Sequence, residues 1–310
     1  MNQKMKFRED GTFTIIQFTD VHWMDGLEKD NRSKAVMETV LNSEDADLVV
    51  FTGDLIYPTE DSATDPAVLM RQAVGPVASR GIPWAYIFGN HDTEHRITRT
   101  ELIEAVMGEA HSMTQRGPEE IAGEANYIIE ISGQSGDAEA ALYFLDSGSY
   151  SCLPGVKGYD WIRRNQIDWY VEQSNKLADR SGRRLPSLAF FHIPLPEYDE
   201  VWSKGQCFGL KLENVCCPKV NTGLFAAMVE QGDVIGTFCG HDHLNDYWGE
   251  WHGIRLCYGR ATGLNTYGRE DFPHGARMIR LQEGTPGFQS WIRLESGEKI
   301  EQQEAAGTAE

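Results

Sequence analysis

The chain has no uninterrupted apolar run near the ~20 residues needed to span a bilayer. Its opening stretch, MNQKMKFREDGTFTIIQFTD, places acidic Asp10 where a secretion signal would carry an apolar core. A cytoplasmic location with no membrane partner is therefore the expectation. Basic residues are scarce, 28 Lys and Arg against 47 Asp and Glu, for a formal net charge of −19, and no cluster of five or more forms. Such a field repels phosphate backbones, which argues against nucleic acid as a partner unless bound metal overrides it locally. Cysteine is also sparse. Cys152, Cys207, Cys216, Cys217, Cys239 and Cys257 show no CxxC pair and no regular spacing, so neither a structural zinc site nor a disulfide framework is expected.

What is present is an ordinary globular composition, 41% hydrophobic and 24% charged over 310 residues, enough for a substantial core. Five short β-rich runs stand out: 12–19, 47–52, 83–88, 187–191 and 233–239. They are nearly continuous rather than alternating, as strands buried on both faces tend to be. Helical patterns fall between them at 66–80, where Asp65-Pro66 supplies a cap and a first-turn proline, at 164–178, and at 221–232, which ends on Gly232. A hairpin over 126–132 and 141–146 and late strands in GIRLCYG, ARMIRLQ and FQSWIRL make the class α/β with mixed sheets. The segment from Ile193 to Gly223, rich in proline, glycine and aromatics, has no apolar periodicity and reads as a long functional loop, which Tyr198, Trp202 and Phe208 would pin to the body. The C-terminal SGEKIEQQEAAGTAE reads as a flexible tail over 296–310, leaving 1–295 for one catalytic domain.

The residues that follow the five runs carry the chemistry. After 12–19 comes Asp20-Val-His22; after 47–52, Gly53-Asp54; after 83–88, Gly89-Asn90-His91-Asp92; after 187–191, His192; and after 233–239, Gly240-His241-Asp242-His243. In open α/β sheets the carboxyl ends of strands form the ligand crevice, so these side chains are expected to converge. A lone histidine at a strand end is more often structural, but five coordinated ends outweigh that reading. The donors Asp20, Asp54, Asn90, His22, His192, His241 and His243 include no thiolate, which suits Mn, Fe or Zn. Seven ligands exceed one tetrahedral shell, and a bridging carboxylate could hold two ions about 3.5–4 Å apart. Two histidines one residue apart, His241 and His243, then serve different ions.

These blocks, D-x-H, G-D, G-N-H-[DE], H and G-H-x-H in order, resemble the calcineurin-like metallophosphoesterase superfamily. The stretches YFLDSGSYS, YDWIRRNQIDWY, FFHIPLPEY and GHDHLNDYWG…GIRLCYG are similar to its purple-acid-phosphatase-related subgroup, which includes a yeast protein phosphatase and plant proteins of uncertain activity. The resemblance implies a sandwich of two mixed β-sheets flanked by helices, with the metal site at the carboxyl ends of strands. It also implies that Asp20, His22, Asp54 and His243 hold the first ion and that Asn90, His192 and His241 complete the second, Asp54 bridging. His91 matches the family's catalytic histidine, with Asp92 as its orienting partner. Purple acid phosphatases use a tyrosine where this chain has Tyr57 but lack the histidine matched by His22. His22 is therefore taken as the ligand and Tyr57 as a packing residue, so an iron-loaded protein should lack a purple colour.

The chemistry implied is hydrolysis of a phosphate ester by a metal-activated hydroxide, with two divalent or mixed-valence ions (Mn, Fe or Zn) as cofactors. The substrate expected is a phosphorylated small molecule or phosphoprotein, most simply a monoester. A diesterase with the same metal site and a catalytically weak phosphate-ligand-binding protein are the alternatives. His95, Arg96, Arg260 and Arg269 are candidates for further phosphate contacts, the last two flanking the Gly-rich CYGRATGLNTYGR; exposed arginines that merely solvate a loop are an equal reading.

Overall fold

The computed structural model describes residues 4–302. Its first half runs β1 (Met5–Lys6), β2 (Thr12–Phe18), α1 (Glu28–Ser43), β3 (Leu48–Thr52), α2 (Pro66–Ala78), β4 (Trp84–Ile87), α3 (Arg99–Gly108), β5 (Tyr127–Ser132) and β6 (Ala138–Phe144). The second half continues α4 (Arg164–Ser181), β7 (Ser187–Phe190), α5 (Glu197–Lys204), β8 (Cys207–Phe208), α6 (Leu224–Gln231), β9 (Val234–Cys239) and β10 (Trp248–Trp251). It closes with β11 (Ile254–Tyr258), β12 (Gly275–Gln282), β13 (Phe288–Leu294) and β14 (Lys299–Ile300).

The strands form two mixed sheets, as expected. One has the order β14-β13-β12-β2-β3-β4, with β2, β3 and β4 parallel and β12 antiparallel to β2. The other has the order β1-β5-β6-β7-β9-β11-β10-β8, in which β6, β7, β9 and β11 are parallel. The five buried runs are thus parallel strands of the two sheets, β2, β3 and β4 in one and β7 and β9 in the other. Along β6, the period of two sends Leu142 and Phe144 into one core with Ile15, Val49 and Ile87, and Ala141 and Tyr143 into a second core with Tyr170, Tyr198 and Met228. The eight-stranded sheet is therefore buried on both faces, which explains runs without alternation.

In-register aromatics Tyr127, Phe144, Phe190 and Phe238 on four successive strands stack at centroid distances of 4.4, 5.3 and 5.2 Å. This ladder lies two residues before His192 and three before His241, and rigid stacking there fixes where those ends emerge.

Two expectations shift. The segment 193–223 contains α5 and the short edge strand β8, and the aromatics account for its order: the Tyr198 hydroxyl meets Thr237 Oγ1 at 2.9 Å, Trp202 packs on Tyr247 and Phe208 stacks on Trp248. Part of the segment expected as a tail over 296–310 is a strand, since Lys299–Ile300 pair with Arg293 and Ile292 of β13; residues 303–310 lie outside the described range. Among the described residues no helix is long and apolar enough to cross a membrane.

Candidate metal centre

The seven expected ligands meet where the carboxyl ends of both sheets adjoin. Asp20, His22, Asp54 and Asn90 arrive from the six-stranded sheet, and His192, His241 and His243 from the other. Getting them there bends the backbone. Among the described residues, eight non-glycine residues have positive φ, and four of them are ligand candidates: Asp20 (53°), His22 (48°), Asp54 (48°) and His241 (76°). Each left-handed residue costs on the order of 1 kcal/mol, and such strain concentrates at functional sites. The bend at His241 breaks strand alternation, which lets His241 and His243 serve different partners. Gly240 makes room for it, since a Cβ there would lie 1.9 Å from Thr19 Oγ1 and 2.6 Å from an Asp20 oxygen. Gly53, at φ 90°, leaves no space for a side chain against Gly89 N and His192.

Two buried groups result, Asp20 with His22 and His243, and Asp54 with His192 and His241, each with ligand atoms all within 4.8 Å of one another. Within the first, His22 Nε2 faces His243 Nε2 at 3.2 Å, and His243 Nε2 lies 3.4 Å from Asp20 Oδ1. Within the second, His241 Nδ1 faces His192 Nε2 at 3.2 Å, and Asn90 Oδ1 stands 3.2 Å from that same Nε2. Asp54 Oδ2 sits between the groups, 3.2 Å from His192 Nε2 and 3.6 Å from His22 Nε2. Outer contacts aim the rings: His192 Nδ1 turns to the Thr52 carbonyl at 2.8 Å, and His243 Nδ1 meets Thr266 Oγ1 at 2.6 Å.

Burial works against ionisation of Asp20 and Asp54, but His243 and His192 respectively outweigh it, holding Asp20 at about 2 and Asp54 well below the usual carboxylate range. Burial pushes His22 and His241 down to about 3, so both rings are neutral. At His192 burial is overcome by Asp54, and the ring rises to about 9. Anionic carboxylates and imidazole nitrogens facing one another at 3.2 Å form an N/O donor set that fits two cations of the Mn, Fe or Zn class and no structural thiolate site.

His91 stands beside the centre. Its backbone N–H donates to Asp54 Oδ1 at 2.8 Å, and its half-buried ring packs against His22 (5.3 Å) and Tyr57 (4.9 Å). Tyr57 also meets the His22 ring edge-on at 5.8 Å. Asp92, however, does not orient His91. It is fully buried and accepts backbone N–H groups of Gly89 (2.7 Å), Asp54 (2.9 Å) and Ile56 (3.0 Å), tying the turn after β3 to the turn after β4. The carboxylate at His91 Nδ1 is Glu94 Oε2, at 2.7 Å, and the other Glu94 oxygen accepts from the Tyr150 hydroxyl at 3.0 Å. Asn90 Nδ2 donates to the same hydroxyl at 3.3 Å, which turns Asn90 Oδ1 toward His192.

The arginines expected at a substrate phosphate are engaged elsewhere. Arg260 is buried, ion-paired with Asp246 at 2.5 Å, bonded to the Pro273 carbonyl and stacked on Phe272. Arg269 pairs with its neighbour Asp271 at the surface, and Arg96 binds the carbonyls of Ser62 and Thr64. His95 lies 3.9 Å from Glu60. The Gly-rich stretch does reach the centre, through other residues: Asn265 Nδ2 donates to the His22 carbonyl, Thr266 bonds His243, and Tyr267 stacks on the His243 ring at 4.3 Å. Tyr159 meets His241 edge-on at 4.3 Å. Tyr159 and Tyr267 lie in stretches singled out above, YDWIRRNQIDWY and CYGRATGLNTYGR, but nothing in the sequence placed either ring on a ligand, whereas Glu94 stood three residues beyond His91.

Comparison with known proteins agrees with this geometry. The family model described as calcineurin-like phosphoesterase matches residues 13–245. The chain is 33% identical to the probable inactive purple acid phosphatase 14 of Arabidopsis thaliana, over 93% of this chain and 80% of that protein. It is 35% identical to the phosphatase DCR2 of Saccharomyces cerevisiae, over 83% of this chain and 49% of that one. A dimetal phosphatase from Danio rerio shares the fold, with a TM-score of 0.59 at 14% identity, covering 90% of this chain and 98% of that one. With the match spanning Asp20 through His243, the chain belongs to the calcineurin-like phosphoesterase family.

Proposed function

We propose that the protein is a phosphatase that hydrolyses phosphate monoesters of a small molecule or a phosphoprotein. The observation that carries this reading is the complete set of seven donors in two groups sharing Asp54, with His91 at their edge. Bound there, two cations acidify a water and neutralise phosphoryl oxygens. Asp20, His22 and His243 would hold one ion and Asn90, His192 and His241 the other, Asp54 joining them. The backbone N–H of His91 fixes the remaining oxygen of Asp54, so the shared carboxylate cannot rotate away. The His91 ring contacts the departing oxygen. With Arg260 and Arg269 engaged elsewhere, phosphate recognition rests on the ions and His91. That favours substrates with a single phosphate group over polyanions and, with the −19 charge, disfavours nucleic acid.

A second reading, a phosphate-ligand-binding protein of weak activity, draws support from the plant relatives named as probable inactive. Hydrolysis of p-nitrophenyl phosphate and bis-p-nitrophenyl phosphate by manganese-loaded protein separates the readings, with Asp54→Asn as the blank. Monoester turnover that the blank lacks is the expected result. Preferential diester cleavage makes the protein a diesterase, and two bound ions without turnover favour the binding protein.

A further inference from the structure

Resting on the phosphatase reading, we propose that Glu94 is the positioning residue of His91, itself anchored by Tyr150, and that this relay serves substrates whose leaving group is an aliphatic alcohol. Three observations carry it. Glu94 Oε2 lies 2.7 Å from His91 Nδ1, and among the described residues no other hydrogen-bond partner contacts that ring. The second Glu94 oxygen is held by the Tyr150 hydroxyl at 3.0 Å, so the carboxylate is fixed from both sides. Among the described residues His91 Nε2 bonds to no protein group, and the side chain is 29% exposed.

An acceptor at Nδ1 holds the Nδ1–H of the protonated ring and so aims its Nε2–H away from Glu94, toward the substrate. Without Glu94 the ring, which packs against His22 and Tyr57, can rotate about its side-chain torsions. Tyr150 comes from the segment after β6 of the eight-stranded sheet, and Glu94 from the turn after β4 of the other. The relay therefore crosses between the sheets on the Asn90 side of the centre.

The chemistry fixes the kind of ester that needs such a device. In hydrolysis the water oxygen bonds to phosphorus, the P–O bond to the alcohol breaks with its electron pair going to oxygen, and that oxygen takes the proton of His91 Nε2–H. A proton from the attacking water then restores Nε2, so water and ester become alcohol and phosphate. An aryl oxygen, of pKa ~10 or below, departs without that proton. An alkyl oxygen, far more basic and closer to water, departs poorly without it.

The test compares p-nitrophenyl phosphate with glycerol phosphate for wild type, Glu94→Ala, Glu94→Gln and Tyr150→Phe. Each protein is checked for two bound ions and an unchanged melting temperature. Glu94→Ala should lower kcat on glycerol phosphate by about 10- to 100-fold, part of the 10²–10⁴ that a positioned proton donor contributes, and change the aryl ester less than about threefold. Glu94→Gln keeps an acceptor at Nδ1 and should recover part of the loss; Tyr150→Phe should give a smaller loss of the same selectivity. In a His91→Ala background, Glu94→Ala should cost nothing more. Equal loss on both esters, or an additive double variant, overturns the proposal. Proton–nitrogen correlation spectra of the zinc-loaded protein give a readout free of turnover: the His91 Nδ1–H should be a persistent, hydrogen-bonded resonance in wild type and lost to solvent exchange in Glu94→Ala. If the wild type cleaves neither ester, the phosphatase reading fails, and those spectra alone decide the positioning role: an unchanged Nδ1–H resonance in Glu94→Ala rejects it.

Discussion

At the scale of single residues, the centre is governed by competition between protons and cations. His192, held at about 9 by Asp54 against the opposing effect of burial, carries a proton at neutral pH until a metal displaces it. Metal affinity should therefore rise with pH through neutrality and level off above about 9, with proton release at pH 7. Calorimetric titration with zinc in buffers of different ionisation heat measures both. Tyr57 packs edge-on against His22 and His91, so ferric loading should give no tyrosinate charge-transfer band; a visible band in the absorption spectrum would make Tyr57 a ligand. Arg260, which looked available for phosphate in the sequence, is a buried structural cation. Arg260→Ala leaves Asp246 unpaired and should lower stability by about 3–5 kcal/mol in urea unfolding, without the selective rise in KM that loss of a substrate contact produces.

At the scale of elements, the turns after β3 and β4 are fastened to one another through one buried carboxylate. Asp92 is the rivet. Three backbone N–H groups lose their acceptor in Asp92→Ala, a cost of about 3 kcal/mol or more, and the Asp54 turn loosens with it. The expected outcome is a lower urea midpoint together with weaker zinc binding. The strand ends were legible in the sequence because continuous apolar runs stopped abruptly at Asp, Asn and His, a pattern that solvated loops do not produce. Helices were less legible. The buried hydrophobics of α1, Val36, Met37, Val40 and Leu41, all lie in its second half, so its periodicity starts late. In α3 the signal was present, a Thr98-x-x-Glu101 capping box, but the apolar stripe behind it is short. Asp92 and Glu94 show why pairing within the site was not legible: both carboxylates lie within three residues of His91, and only the turn after β4 determines which one faces inward. The surroundings of Arg260 escape the sequence for a related reason, since Asp246 and Phe272 meet it only through the arrangement of strands.

At the scale of the whole molecule, each group of ligands draws on both sheets: Asp20 and His22 with His243, and Asp54 with His192 and His241. The ions would therefore fasten the sandwich across its two halves. Metal at a hundredfold excess over Kd should add about 2.7 kcal/mol per site, visible as a higher melting temperature that chelation reverses. A melting temperature indifferent to chelator would mean that the sheets are already locked by their shared core. The same architecture has a consequence in time. β2, near the start of the chain, lies between β3 and β12, and β12 is made some 260 residues later. A growing polypeptide thus carries an apolar strand with one open edge until β12 is made, and the hairpin of β12 and β13 is what closes it. Loss of that hairpin would leave every candidate ligand in the chain yet expose the edge of β2, converting a change far from the centre in sequence into an aggregation-prone product.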